Sequence, residues 1–382
     1  MTRWRHRDGS VVHIAYCTNV HPAEDLEGVL AQLERFADPL RQSLQSDRLG
    51  VGLWLAAPVA RLLRREPDAV ARLRDTLDRL GLEVVTFNGF PYRAFHAPVV
   101  KRAVYRPDWT RPERSEYTLD LAWLLARLLP DDVMEGSIST LPFGWRVGWT
   151  EQHAAAARAA LATVALELER LGQVSGRRVR LAIEPEPGCA IETAEQAIAA
   201  LHGLDPAWVG VCLDACHMAV QFEEPEVVKR SLQVAGVPVV KVQASAALRA
   251  ALPGSTDLES FVEPRFLHQT RARAMTGVVG VDDLDEALAG GLPREREWRV
   301  HFHVPVHMDG GRTTQQDLRD LLACLLGGPQ ALTGHVELET YTWSVMPGVL
   351  RPADDAALVD GLTRELRWLA HELEHLGLRE AA

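Results

Sequence analysis

Asp214-Ala-Cys-His217 closes the apolar run Val209-Gly-Val-Cys-Leu213. Strand side chains alternate faces, so a strand that turns into a helix there presents an oxygen and an imidazole to one small volume. Other apolar runs end in the same way. Leu181-Ala-Ile-Glu184-Pro-Glu186 places two carboxylates just past one strand, with prolines that stop the ladder. Val240-Lys-Val-Gln243 ends in an amide, and His335-Val-Glu337-Leu-Glu339 in carboxylates. Glu184, Asp214 and Glu339 within ligand distance of one another would repel strongly unless a cation neutralised them. A mostly oxygen donor set suits Mn²⁺, Mg²⁺ or Co²⁺, and Zn²⁺ also fits because His217 and His303 are close by.

Alternation sorts the remaining candidates. Lys241, Gln243 and Ser245 share a strand face; if it looks inward, a buried amide and ammonium need partners. A metal would serve Gln243 and a substrate oxygen would serve Lys241. His301-Phe-His303-Val-Pro-Val-His307 also alternates, and three histidines on one side favour ligand or substrate contacts over core packing. Glu339 lies nearer the carboxyl end than Glu337, which is expected deeper and structural. Asn19, His21 and Asn88, at the ends of two early strands, are candidates for the opposite wall, although turn-forming asparagines look the same. Glu186 either joins the site or caps the next helix.

Such residues need strands that end together. Extended runs at 11–17, 51–55, 83–87, 133–139, 179–184, 209–214, 238–243, 299–306 and 336–340 alternate with helical segments. Thr150 is expected to cap an Ala-rich helix ending near Gly172. Short strand–helix units imply a parallel sheet covered on its outside. The absence of a dinucleotide fingerprint favours a closed (β/α)8 barrel, whose chemistry sits at the carboxyl ends of its strands. One run is surplus to eight strands. The run at 299–306 is assigned to an enlarged excursion between strands seven and eight. The rhythm spans 1–382, so one domain is expected.

The 382 residues are 47% hydrophobic and 24% charged, which provides for a large core. A net charge of −11 argues against a nucleic-acid or anionic-membrane partner. Five cysteines without metal-finger spacing point to a reducing compartment. With no leader or long apolar span, a cytoplasmic protein with no membrane insertion and a small-molecule substrate is expected.

Ile183-Glu-Pro-Glu-Pro, Leu213-Asp-Ala-Cys-His-Met and Val336-Glu-Leu-Glu-Thr-Tyr resemble the metal-binding strand ends of the xylose isomerase-like barrels. The resemblance implies Glu184, Asp214, Gln243 and Glu339 as ligands of a divalent metal and His217 as a substrate contact. Gln243 stands where epimerases and endonuclease IV commonly have His. His301-Phe-His303 resembles the Asp-x-His of the endonuclease IV multi-zinc site, with the first residue changed, so these two could hold a second metal. Further segments, including Phe87-Asn-Gly-Phe-Pro-Tyr92 and Lys101-Arg-Ala-Val-Tyr-Arg-Pro-Asp-Trp109, resemble the EboE metabolite-traffic family, a bacterial branch of these barrels. That likeness implies a role in making or exporting a small metabolite, alongside other proteins of one operon. The isomerase branch implies catalysis by Glu184 and Glu339 as an acid–base pair, with His217 and Lys241 holding substrate oxygens. The alternatives are a non-catalytic metabolite-binding or traffic protein with a vestigial metal site and a metal-dependent hydrolase of the endonuclease IV type.

Overall fold

The computed structural model describes residues 2–255, 257–275, 277–308 and 311–381. Eight parallel strands close on themselves: β1 (Val11–Cys17), β2 (Leu49–Leu53), β3 (Leu82–Asn88), β4 (Glu135–Thr140), β5 (Arg178–Ile183), β6 (Val209–Asp214), β7 (Val239–Ala244) and β8 (His335–Leu338). The closing seam pairs Val336 of β8 with Ile14 of β1. Short antiparallel strands Arg3–Arg5 and Arg379–Glu380 extend the sheet below β1. Helices cover the outside, and the described apolar core runs continuously from Trp4 to Leu378.

The helices follow the expected chemistry with one shift. Thr150 accepts from the His153 backbone amide, and the His153 ring reaches back to complete a capping box. That helix runs to Ser175, past Gly172, and stops at Gly176, where φ is +69°. A left-handed terminus suits glycine, and it fixes the end three residues later than the sequence suggested.

Residues 245–334 lie between β7 and β8. They carry a second, four-stranded antiparallel sheet ordered Gly277–Val281, Thr270–Ala274, Trp298–Val304, Ala246–Ala250. The ninth extended run therefore belongs to this sheet and not to the barrel. It holds His301 and His303 against the barrel mouth.

Inside the barrel, polar side chains stack in layers. His335 Nδ1 meets Ser137 Oγ at 2.7 Å, and Ser137 donates to Thr86. Above them, Lys241 and Glu337 form an ion pair at 2.6 Å, both fully buried. Gly52 makes room for it, since a Cβ there would sit 1.4 Å from Glu337 Oε1. Gly52→Ala must push a buried carboxylate off the Lys241 ammonium, so we expect a loss of about 3 kcal/mol or more. Chemical denaturation checks this; a midpoint equal to the parent's would contradict it.

Candidate metal centre and active site

The upper layer is formed by strand ends. Glu184 follows β5, Asp214 and Gln243 pair across β6 and β7, and Glu339 follows β8. None is more than 4% exposed. One oxygen from each of Glu184, Asp214 and Glu339 lies within 4.8 Å of the others. Burial first, and then the neighbouring Asp214, carries the Glu184 carboxyl well above the usual carboxylate range. Glu339 moves the same way through burial and the charges of Glu184 and Asp214.

Asp214 and Glu339 are each anchored through one carboxylate oxygen. Asp214 Oδ1 accepts from the His217 amide at 2.9 Å and from Ser245 Oγ at 2.8 Å, while Oδ2 has no partner. Glu339 Oε1 accepts from both Asn19 and Asn88 Nδ2 at 2.7 Å. Glu184 Oε2 and both polar atoms of the Gln243 amide are buried without a hydrogen bond. Orphaned buried polar atoms are rare and costly in proteins. Several together, all in a patch of three carboxylates, fit a divalent cation.

The histidines form a second group beside it. His217 Nδ1 faces the Pro185 carbonyl and His303 Nδ1 the Glu339 carbonyl, each at 2.9 Å. A carbonyl only accepts, so both rings carry their proton on Nδ1. Gln269 Nε2 donates to Pro187 O and Tyr105 Oη, which turns Gln269 Oε1 to His301 Nδ1 at 2.8 Å. His301 therefore also donates from Nδ1. The bare Nε2 atoms of His217 and His301 face each other at 3.1 Å, and His303 Nε2 has no hydrogen-bond partner. Burial lowers the His217 pKa to about 4, and His301 and His303 also fall below the usual range. Glu186 lies within 4.8 Å of His217 and His301, accepts from Tyr105 Oη at 2.7 Å, and is raised by burial to about 8.

Two expected contacts sit elsewhere. Lys241, like Asp214 and Gln243, is off the cavity lining, and its ammonium is bound to Glu337, with weaker bonds to Phe87 O and Ser139 Oγ. His21 also lies outside the lining, stacked on Phe36 at 4.1 Å. Asn19 and Asn88 do reach the site, where their amide donors hold Glu339.

Several site residues escaped the sequence. Tyr105 and Gln269 come from segments with no periodic signal, and Tyr341, at the end of the quoted Val336–Tyr341 segment, was assigned no role. Ser245 was legible only as a neighbour on the Gln243 face.

A profile of the xylose isomerase-like TIM barrels matches residues 49–257. The chain belongs to this family. The match takes in Glu184, Asp214 and Gln243; Glu339 and most of the second sheet lie beyond it. Among solved structures, the D-psicose 3-epimerase of Clostridium cellulolyticum H10, crystallised with D-tagatose, is 13% identical. That alignment covers 94% of this chain and 99% of that one, with a TM-score of 0.51. A D-tagatose 3-epimerase-like protein is 12% identical over 95% and 98%, also at 0.51. A xylose isomerase-like TIM barrel protein from Mycobacterium smegmatis, in complex with magnesium, is 11% identical over 94% and 97%, at 0.51. At these identities the likeness is one of fold. A search of curated proteins gave no match. Among the described residues, no helix is long and apolar enough to cross a membrane.

Proposed function

We propose that this barrel is a divalent-metal-dependent isomerase or epimerase acting on a small hydroxylated metabolite of sugar or cyclitol type. We place it in the EboE branch, serving the synthesis or export of a secondary metabolite in the cytoplasm. The observation that carries this reading is the convergence of Glu184, Asp214, Gln243 and Glu339, the first three with buried polar atoms unpaired. These four would hold the metal. When bound, such a cation polarises a substrate carbonyl and neutralises developing negative charge.

The chain's own residues do the rest. Glu184 and Glu339 rise from the carboxyl ends of two different strands, β5 and β8, so one can take a proton from the carbon next to the carbonyl and the other can return one. Asn19 and Asn88 keep Glu339 oriented through Oε1, leaving Oε2 for the substrate. The His217 Nδ1–H donates to the Pro185 carbonyl, which leaves its bare Nε2 turned into the site.

The facing Nε2 lone pairs of His217 and His301 favour a second, nitrogen-rich cation site that includes His303. Two neutral acceptors at 3.1 Å repel unless a cation or proton lies between them. Ligating histidines typically donate their other N–H to a carbonyl or amide, as all three do here. The endonuclease-like alternative is weaker. Of the histidines on or after the first strand, His13 packs edge-on against His335 inside the barrel and His21 on Phe36.

Metal dependence is directly testable. A ligand bound only by the folded state stabilises it by about 2.7 kcal/mol at a hundredfold excess over Kd. EDTA should lower the melting temperature and Mn²⁺ should restore it, with elemental analysis reporting one to two ions per chain. No metal and an unchanged melt would remove the proposal. Binding of metal and sugar without deuterium uptake from heavy water would favour the carrier alternative.

A further inference from the structure

The cavity over the carboxylates is two-faced. Its floor is polar. Its upper wall comes from loops, with Phe90, Phe95 and Val104 from one side and Phe266 and Leu267 from the other. Phe95, Phe266 and Tyr341, from three separate segments, touch ring to ring at 4.9–5.3 Å. A substrate whose head reaches the carboxylates has its outer part beside these rings.

The polar groups on that wall are already engaged. Tyr105 donates to Glu186, and the Tyr341 hydroxyl faces His301 Nε2 at 3.4 Å. Lys101, the single lysine or arginine lining the cavity among the described residues, is bound to Asp283 and the Glu263 carbonyl. A sugar phosphate would find no free cation there. A bare sugar would press its outer hydroxyls on hydrocarbon, where they lose water without a partner. An apolar substituent would gain by burial in the same place.

We infer that the natural substrate is amphipathic, a hydroxylated head bearing one uncharged apolar substituent that packs among Phe95, Phe266 and Tyr341. This rests on the proposed head-binding role of the carboxylate floor.

Calorimetry on Mn²⁺-loaded protein with methyl and phenyl glycosides of glucose, galactose and mannose tests it, with the 6-phosphates as the anionic arm. Phenyl members should bind about tenfold or more tighter than their methyl partners. Phe95→Ala and the milder Phe266→Leu should erode that preference while Mn²⁺ binding, read separately, stays as in the parent. Equal affinities within pairs, no binding by any phenyl member, or a preference for the phosphates overturns the inference. A phenyl preference in protein that binds no Mn²⁺ would uphold it and sink the isomerase reading instead.

Discussion

Glu184→Gln is expected to slow exchange of a carbon-bound substrate proton with solvent by about 10²–10⁴-fold, the usual contribution of a positioned acid–base group. The substitution keeps shape and removes the charge. Glu184 has one oxygen without a partner and sits at the mouth, above the packed barrel layers. Losing that charge should therefore leave folding intact, and it relieves repulsion with Asp214 and Glu339. Melting at or above the parent temperature without metal, together with near-absent deuterium uptake by NMR, is the expected pair of results. Exchange at the parent rate would remove Glu184 from the chemistry. Weakened metal binding is a separate effect, measured by titrating Mn²⁺ into the variant and running exchange at saturation.

Lys241→Met should destabilise the fold by about 3–5 kcal/mol, the range for breaking a buried ion pair by removing one partner. Lys241 and Glu337 are both fully buried and 2.6 Å apart. Without the ammonium, Glu337 is stranded in the barrel centre. Glu184 and Glu339 also lose a positive charge that favours their ionised forms. The double variant Lys241→Met/Glu337→Leu should regain much of the loss, because exchanging a whole buried pair for apolar side chains is often neutral. Urea midpoints compare the three proteins. If the single variant unfolds with the parent, the pair carries no structural weight. Full loss of proton exchange in a stably folded double variant would return Lys241 to the chemistry.

Much of this site was readable locally. A period of two along 239–244 and 335–339 set Lys241 and Gln243, and Glu337 and Glu339, on inward faces. The repeated strand–helix rhythm implied that the carboxylate-bearing ends would share one rim. Those inferences depend only on backbone geometry, which neighbours in the chain determine.

Depth was a different matter. Gln243 and Lys241 are two residues apart, about 6.6 Å along a strand. That step separates an unpaired amide beside Asp214 from an ammonium locked on Glu337. The stagger of β7 against β8, with Gln243 level with Glu337, decides which inward residue meets which partner. Likewise, nothing near Phe95, Phe266 or Tyr341 announces that the three would meet, because they are drawn together from far-apart loops. The strands and their ligand-bearing ends were local properties of the chain; the pairing of Lys241, the amide clamp on Glu339 and the aromatic cover were decided by barrel closure, which sets distances that local periodicity does not encode.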